Sequence, residues 1–467
     1  MTVADGSAND HVSELSTHRP ELSRSERKDA GRAARKRTSR SDLGVYAPSP
    51  DRPDPIELLD RQNANRFPDL VPVRWGRMVA SPFAFYRGSA ALMAHDLAGS
   101  PDSGLVVQLC GDAHLQNFGL FASPERRLLF DLNDFDETLP GPWEWDVKRL
   151  AASLVLASRS NGGSAEEQTA AAEACVRAYR VAMAAFAAMS STEVWYFKVD
   201  VDDALPQMVD DRCDRTAKIA EKARRRTTLQ ALERLTTVID GRHVIVDDPP
   251  IIEHLPDHMD VGDIKAMVNE YRATLADERR YLFDRFHIVD IARKVVGVGS
   301  VGTHSWIALA VADSEEDDPL FLQIKEATRS VLEAYVGRSA QSNHGQRVVI
   351  GQRMMQAASD VFLGWTRNTD GRDFYVRQLR DMKGSIKVET LSQAELSSYG
   401  ERCAGVLARA HARTGDPIAI AGYLGQGEVF DRALTTFALG YADQAERDHA
   451  ELRAAVDSGR IEAHEGI

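Results

Sequence analysis

The clearest pattern along the chain is a short apolar run that ends at a glycine and an aspartate. Residues 105–110 read LVVQLC, and Gly111 and Asp112 follow directly. An almost wholly apolar run of this length is typical of a strand buried on both faces. Residues 126–137, RRLLFDLNDFDE, have the pattern of a hairpin partner strand and its exit. Together the two segments predict a small buried sheet with polar loops at its ends.

Mostly helical patterns surround this sheet. Alanine-rich stretches around 144–160 and 164–190 predict two helices, and residues 215–237 and 262–287 predict two more. From Ser392 to the end of the chain the pattern is helical again. We therefore expect a large part of the molecule to be helical.

The sequence pattern changes near Val289 from helical to strand-like. Residues 289–326 alternate β-branched residues with glycines, turn at an acidic loop and return as a strand, which is typical of a β-meander. A helical stretch at 345–360 and two more strand patterns, FLGWT and RDFYVRQLRD, follow. We predict an α+β fold divided into residues 51–288 and 289–385, with helices at 386–467 packing back on the first part.

The first 50 residues form a different kind of segment. They are rich in Ser, Asp and Arg and have almost no apolar periodicity, and Arg19 to Arg40 contains nine basic and three acidic residues. The composition favours a disordered polar and basic tail, and the alternative is a contact for RNA or an acidic partner.

The composition argues against some classes of binding partner and indicates the cellular compartment. The chain of 467 residues has 57 Lys and Arg against 70 Asp and Glu, a formal charge of −13, so we expect neither nucleic acid nor an anionic membrane as its main partner. No apolar run approaches the ~18 residues of a membrane helix, and the N-terminus lacks the apolar region of a signal peptide. The four cysteines form no CxxC pair. These features predict a soluble, cytoplasmic protein.

The segment after the first strand carries candidate chemistry. Asn117 follows Asp112 by five residues, and Asp134 in NDFDE comes seventeen residues after Asn117. Phosphoryl transfer needs a carboxylate that accepts a proton from the acceptor, and a second carboxylate with an amide oxygen that hold Mg²⁺. The alternative is that these loop residues cap backbone groups. Asp136 and Glu137 are likewise either further metal ligands or caps, and we favour caps.

A second candidate lies in the meander. Gly297, Gly299 and Gly302 form a G-x-G-x-x-G pattern, and Lys325 follows in LFLQIKEA. A dinucleotide-binding motif would open a helix, but here a strand pattern follows the glycines. A glycine bend between strands with a lysine on the next strand is typical of a loop that covers phosphates. The alternative is a glycine-rich hairpin turn with a lysine facing solvent.

Asp146, in WEWD, begins a predicted helix just after the NDFDE segment. It either caps that helix or accepts hydrogen bonds from the backbone of the loop that carries Asp112. Arg87 and Arg377 have the reach to bind a phosphate bidentately, although ordinary ion pairs are the commoner role for such residues. We expect a buried, unreactive thiol at Cys110.

These motifs resemble known enzymes. GDAHLQN, NDFDE and WEWD are similar to the catalytic loop, the metal-binding Asp and the structural Asp of aminoglycoside phosphotransferases and related kinase-like enzymes. A wider set is similar to bacterial domain-of-unknown-function family 2252 and covers nearly everything after residue 50: RMVASPFAFYRGSA, QLCGDAHLQNFG, FDLNDFDET, ARKVVGVGSVGT, FLQIKEA, FYVRQLRDMKGS and AHARTGD. The resemblance implies a two-lobe, protein-kinase-like fold.

The resemblance also implies a role for each matched residue. Asp112 would be the catalytic base, with His114 as a further candidate in the same loop. Asn117 and Asp134 would bind Mg²⁺, and Asp146 would support the loop. The three glycines would cover ATP and Lys325 would pair with its phosphates: Gly297, Gly299 and Gly302.

Two features depart from the kinase pattern. The glycine motif and its lysine follow the catalytic loop by about 180 residues instead of preceding it, so the fold would have to be circularly permuted, with the small lobe late in the chain. The glutamate that should pair with Lys325 is also not evident. Glu326 and Glu333 follow closely, but the candidate helix GQRVVIGQRMMQAASD contains no Glu.

The leading functional hypothesis is an ATP- and Mg²⁺-dependent phosphotransferase acting on an unidentified hydroxyl-bearing acceptor, with AMP transfer also open. The second is a catalytically inactive, pseudokinase-like module that binds nucleotide. The third is a dinuclear metallophosphoesterase, for which His304, His344 and His411 are not convincingly arranged.

Overall fold

The computed structural model describes residues 21–204, 211–226, 228–254, 261–295, 297–312, 318–379 and 382–466. Its strands in chain order are β1 (Val106–Leu109), β2 (Phe118–Ala122), β3 (Leu128–Leu132), β4 (Leu139–Pro142), β5 (Thr236–Ile239), β6 (Arg242–Ile245), β7 (Ile252–Glu253), β8 (Phe286–Lys294), β9 (Ser305–Ala312), β10 (Pro319–Glu326), β11 (Gly364–Arg367) and β12 (Asp373–Gln378).

The helices of the first half are α1 (Arg24–Arg37), α2 (Pro55–Arg61), α3 (Val71–Val79), α4 (Pro82–Gly88), α5 (Ala90–Ala98), α6 (Glu144–Ser160), α7 (Ala165–Ala188), α8 (Ser191–Tyr196) and α9 (Val201–Ala204). Those of the second half are α10 (Asp211–Arg224), α11 (Thr228–Leu235), α12 (Val261–Ala273), α13 (Asp277–Phe283), α14 (Glu333–Val336), α15 (His344–Met355), α16 (Gln393–Thr414), α17 (Pro417–Leu424) and α18 (Val429–Asp457). The α+β class is confirmed.

The small sheets sit against the helical part. Strand β1 pairs antiparallel with β4, and β2 pairs antiparallel with β3. All five residues of β2 and of β3 are buried, as their apolar sequences predict. The strand in RRLLFDLNDFDE is thus confirmed, but its hairpin partner is residues 118–122 and not the LVVQLC run. The main core joins these strands to α6, α7, α16 and α18.

The meander forms a six-stranded antiparallel sheet in the order β11-β12-β10-β9-β8-β7. Its alternating side chains bury both faces. One face packs Ile307 and Phe321 with α11, and the other packs Ala308 and Leu322 with α12 and α13. The strand expectations at FLGWT and RDFYVRQLRD are confirmed by β11 and β12.

Two long helical expectations are each split in the structure. The segment 215–237 forms α10 and α11 and then enters β5 at Thr236. The segment 262–287 forms α12 and α13, with Ala276 as the extended cap of the second helix, and enters β8 at Phe286. The break in each segment lets the two halves follow the surface that they cover.

The expectation of a disordered tail is wrong for the part of residues 1–50 that the structure describes; residues 1–20 lie outside it. Helix α1 begins with a capping box between Ser23 and Glu26. Arg27 binds both carboxylate oxygens of Asp416 at 2.7 Å. Docking on α17, and not apolar periodicity, orders this helix. None of the described helices is long and apolar enough to span a membrane.

Candidate functional site

The loop after β1 is held in a shape that requires glycine. Gly111 has a φ of +83°, and a Cβ at this position would lie 2.4 Å from the backbone oxygen of Glu137. The backbone N–H groups of Cys110 and Gly111 donate to the two carboxylate oxygens of Asp146, at 2.8 and 3.0 Å. Asp146 makes no capping bond to α6, whose cap is Trp143, so its contacts correspond to loop support.

Asp146 belongs to a buried chain of polar groups. His411 Nε2 lies 3.2 Å from one of its oxygens, and Nδ1 of the same ring lies 2.8 Å from the hydroxyl of Tyr179. All three side chains are fully or almost fully buried. A satisfied polar network of this kind fixes the loop relative to α7 and α16.

Asp112 projects from this loop beside a buried arginine. Its Oδ1 accepts a hydrogen bond from Arg149 Nε at 2.8 Å and lies 2.7 Å from Nη2 of the same guanidinium. Arg149 also donates to the backbone oxygen of Tyr86 at 2.6 Å and stacks over the Tyr86 ring. The ion pair fixes the orientation of Asp112, and Oδ2 remains for a further contact.

His114 stays neutral at physiological pH. Burial lowers the pKa of its ring to about 3. Its Nδ1 accepts a hydrogen bond from the backbone N–H of Gln116 at 3.2 Å, so the ring proton is on Nε2, which lies 3.6 Å from Asp112 Oδ2. A ring with this low pKa orients the loop and does not serve as a general acid at neutral pH.

Asn117 and Asp134 approach the same space from two sides. Asn117 Nδ2 donates to the backbone oxygen of Asp112 at 2.5 Å, which directs the amide oxygen away from that carbonyl. The backbone N–H of Asn133 donates to the backbone oxygen of Asn117 at 2.8 Å and links the two loops. Burial, and then the neighbouring charge of Asp136, raises the pKa of Asp134.

Lys325 pairs with the second aspartate of NDFDE. Its Nζ donates to Oδ2 of Asp136 and lies 3.9 Å from Oδ2 of Asp134. Tyr375 donates to Oδ1 of Asp136 at 2.8 Å, and Ser300 donates to Oδ2 at 3.2 Å. Although burial opposes it, the charges of Asp134 and Asp136 raise the pKa of Lys325. In turn Lys325 holds the pKa of Asp136 below its usual value, against the effect of burial.

The glutamates considered as partners of Lys325 lie elsewhere. Glu326 binds His304 at 2.8 Å and Arg372 at 3.0 Å, and Glu333 binds Arg329 at 3.1 Å. Among the described residues the carboxylate that Lys325 contacts directly is Asp136, and the expectation that Asp136 caps its own loop is wrong.

Helix α15 supports the same segment through an arginine. Arg347 donates to the backbone oxygens of Thr138 at 2.7 Å, Asp136 at 2.8 Å and Thr328 at 2.9 Å. These bonds tie the NDFDE loop to the chain that follows β10. The helix positions the carboxylates through their backbone and not by pairing with Lys325.

The glycine motif makes the bend between β8 and β9. Gly297 and Gly302 have positive φ values of +67° and +82°, which glycine adopts readily. The backbone oxygen of Gly297 accepts from Arg77 at 2.5 Å, and that of Gly302 accepts from the Phe67 N–H at 2.8 Å. Residues 66–77 thus hold the bend from outside.

A cavity of about 140 Å³ lies between this bend and the two aspartate loops. It is lined by six of the predicted site residues: Asp112, His114, Asn117, Asp134, Gly297 and Gly299. Lys325 lies beside it next to Asp134, Gly302 lies against Arg66 and Leu70, and Asp146 lies behind the loop. The two sequence constellations therefore meet around one cavity.

A scan of protein families matches residues 66–455 to the family described as "Uncharacterized protein conserved in bacteria (DUF2252)". The chain belongs to the DUF2252 family. Searches of the curated proteins and of the solved structures found no match. The DUF2252 match contains every site residue predicted from the sequence, whereas Gln62, which also lines the cavity, and helix α1 lie before it.

Sequence reasoning missed one residue of the DUF2252 site, Arg149, and gave another, Asp136, a different role. Arg149 follows Asp146 by three residues, about one helical turn, so α6 directs both side chains toward the loop after β1. Asp136 follows Asp134 by two residues in an irregular segment, where no periodicity assigns a direction. The spacing between Asp146 and Arg149 could have identified Arg149 from the sequence. No sequence signal predicts that Asp136 pairs with Lys325.

Proposed function

We propose that this protein is an ATP- and Mg²⁺-dependent phosphotransferase of the kinase-like type, acting on a hydroxyl-bearing acceptor. The observation that carries the proposal is the convergence of Asp112, Asn117 and Asp134 with the glycine bend around one cavity, beside Lys325. Each motif alone has an ordinary structural explanation. Their meeting from distant parts of the chain favours a shared chemical task.

The residues fit a magnesium ion. Mg²⁺ in phosphotransferases is bound by one or two protein oxygens and by substrate phosphates. The Asn117 amide oxygen and the Asp134 carboxylate, which lacks the direct Lys325 bond of Asp136, supply such ligands. When bound, the ion neutralises the phosphate charge that develops during transfer. Among the described residues no group of three His, Cys, Asp or Glu is arranged for a metal, so nothing favours the metallophosphoesterase.

Asp112 would act on the acceptor. The acceptor oxygen forms its bond to the γ-phosphorus, the bond from that phosphorus to the departing ADP oxygen breaks, and the hydroxyl proton passes to Oδ2 of Asp112. Arg149 keeps this carboxylate oriented, and neutral His114 adds no competing charge. Lys325 would pair with the phosphates next to Asp134.

The topology supports a kinase-like small lobe. Strand β8 leads into the glycine bend, β9 leads out of it, and Lys325 lies on β10, the next strand of the sheet. In protein kinases the phosphate-pairing lysine also lies on the third strand. Here the lobe follows the catalytic loop in sequence, so we propose a circularly permuted arrangement.

The direct test measures the binding of MgATP to the wild type, Asp134→Ala and Lys325→Ala. We expect each variant to weaken binding about tenfold or more, since hydrogen bonds to charged groups contribute ~1.5–3 kcal/mol. Asp277→Ala, at a side chain that is 96% exposed, is the matched control. Equal affinity in all four proteins would rule the assignment out.

The alternative, an inactive nucleotide-binding module, has one observation in its favour. Arg149 Nε already donates to Asp112 Oδ1, and Nη2 lies 2.7 Å from the same oxygen, so only Oδ2 is left to contact an acceptor. This alternative requires MgATP to stabilise the protein thermally without transfer from ATP labelled at its γ-phosphate. Transfer of that label to any acceptor would exclude it.

A further inference from the structure

Arg87 lines the cavity, and no described residue forms a hydrogen bond or an ion pair with its guanidinium. It lies at the end of α4, and its backbone oxygen is 3.5 Å from the position that a Cβ on Gly299 would take. Its Nε is buried, and no described residue accepts a hydrogen bond from it. Burial lowers the pKa of Arg87, and the nearby charges of Glu389 and Asp112 oppose that effect. A buried guanidinium N–H without an acceptor is costly unless a ligand supplies one.

Arg66 also lines the cavity. Its guanidinium donates to the backbone oxygen of Val301, inside the glycine motif, and to that of Gln62 at 3.3 Å. It makes no ion pair with a described carboxylate. Arg66 is therefore fixed at the bend by neutral acceptors, and its charge is not neutralised by a direct partner.

Carboxylates and arginines line the cavity without forming salt bridges with one another. Asp112, Asp134 and Glu137 line it together with the two arginines, yet neither arginine forms a salt bridge with any of the three. A ligand that presents a cation to the carboxylates and anionic oxygens to the arginines would give both sets of charges a partner. A phosphate chain with its magnesium ion has that chemistry.

The size of the cavity agrees with this ligand class. Its volume of about 140 Å³ is below the ~300 Å³ at which pockets for drug-sized ligands begin. The space suits the phosphate chain of a nucleotide more closely than the whole molecule.

We propose that Arg66 and Arg87 form an anion-binding site that holds the phosphate chain of the substrate in the cavity lined by Asp112 and Asp134. The inference rests on the proposed function for the identity of the nucleotide, but the anion site itself is testable without one.

The experiment measures the affinity of Mg²⁺-tripolyphosphate and of MgATP for the wild type, Arg87→Ala and Arg66→Ala. We expect each variant to lose about tenfold or more in affinity for both probes, because each removes a charge-assisted contact. Arg87→Lys keeps the charge but not the planar fork and should lose less. Arg61→Ala, an exposed arginine on α2, is the control for the loss of one charge and should bind as the wild type does.

The outcomes separate this inference from the proposed function. Tripolyphosphate binding that depends on Arg87, without binding of MgATP, supports the anion site and contradicts the nucleotide assignment. MgATP binding that depends on Lys325 and Asp134 but not on either arginine overturns the inference and leaves the function standing. Absence of tripolyphosphate binding by the wild type also overturns it. Because Arg87 donates no hydrogen bond to the described protein, its variants keep the test valid if Arg66→Ala misfolds.

Discussion

Two aspartates only two residues apart have different surroundings in the NDFDE segment. Asp136 accepts hydrogen bonds from Lys325, Tyr375 and Ser300, which occupy both of its carboxylate oxygens. Asp134 accepts one weak bond, from the backbone of Asp136 at 3.3 Å, and faces the cavity. The first therefore anchors the lysine, and the second is available to a metal ion.

The Lys325–Asp136 pair provides the first prediction. Lys325→Met removes a buried ammonium group from two half-buried carboxylates, and we expect it to lower the free energy of unfolding by about 1–3 kcal/mol. Adding Asp136→Asn removes one of the uncompensated charges, so the double variant should be more stable than the sum of the single effects by about 1 kcal/mol or more. Urea denaturation of the four proteins measures this coupling.

The control for this cycle is Lys387→Met, because Lys387 is exposed. It should unfold within about 0.5 kcal/mol of the wild type. Strict additivity of Lys325→Met and Asp136→Asn would show that the two side chains do not interact in solution.

Glu137 gives a pH-dependent prediction. Burial raises its pKa from 4.5 to about 7, although its carboxylate accepts the Val331 N–H at 2.7 Å. The folded protein thus binds this proton more tightly than the unfolded chain, and the stability that it provides is complete below pH 4.5 and is lost as the pH rises through 7. Glu137→Gln keeps an acceptor oxygen without the charge. We expect it to unfold at a higher free energy than the wild type at pH 8.5, by up to about 3 kcal/mol.

The measurement is urea denaturation of both proteins from pH 4.5 to pH 8.5. The curves should converge at the acidic end, separate between about pH 5 and pH 7, and keep a constant separation above that. Glu278→Gln, at a side chain 74% exposed, should run parallel to the wild type throughout. An equal pH dependence for Glu137→Gln and wild type would mean that Glu137 does not carry the raised pKa.

At the scale of elements, the two glycine-containing loops differ in how much space surrounds them. Gly111 lies in the loop held by Asp146, and a Cβ on it would lie 2.4 Å from the backbone oxygen of Glu137. A Cβ on Gly297 would meet nothing within 4 Å. Both glycines have positive φ values. The chain is closely packed around Gly111, whereas Gly297 has free space beside it.

Alanine substitutions distinguish the cost of backbone strain from the cost of a steric clash. Gly111→Ala combines backbone strain with a steric clash and should destabilise the protein by more than about 2 kcal/mol. Gly297→Ala should cost about 1–2 kcal/mol, from the left-handed conformation alone. Gly299→Ala, without a positive φ and with its closest contact at 3.5 Å, should have little effect on stability. Thermal unfolding of the three variants checks this order, and equal losses for Gly111 and Gly297 would contradict it.

Local patterns predicted most elements but not how they pair. The apolar run at 105–110 and the alternation after Val289 depend on neighbouring residues, and both became strands, β1 and β8–β10. The pairing of β1 with β4 depends on residues thirty positions apart and has no local signal. The same limit applies to the site. Asp112 and Lys325 were identifiable from motifs, whereas the pairing of Lys325 with Asp136 follows only from the packing of the six-stranded sheet on the loops.

At the scale of the whole molecule, helix α1 joins the N-terminal region to the C-terminal helices. Arg35 and Arg40 donate to the backbone oxygens of Tyr423 and Leu424, at 2.6 and 2.7 Å, where α17 ends. Cationic side chains at a helix C-terminus satisfy its free carbonyl groups and its dipole. Because these contacts are polar, composition alone classed the segment as disordered.

Glycines set the distance between α1 and α17 and give the last prediction. A Cβ on Gly31 would lie 1.9 Å from the backbone oxygen of Ala419, so Gly31→Val should separate the helices and destabilise their contact by about 1–3 kcal/mol. Limited digestion with trypsin, followed by mass spectrometry, should then yield fragments beginning at Arg37 or Thr38 faster than from the wild type. Gly440→Ala, at a helical glycine with nothing within 4 Å, is the matched control and should be cut as the wild type is. If all three proteins are cut at the same rate, α1 does not depend on this close approach and its arginine contacts alone hold it in place.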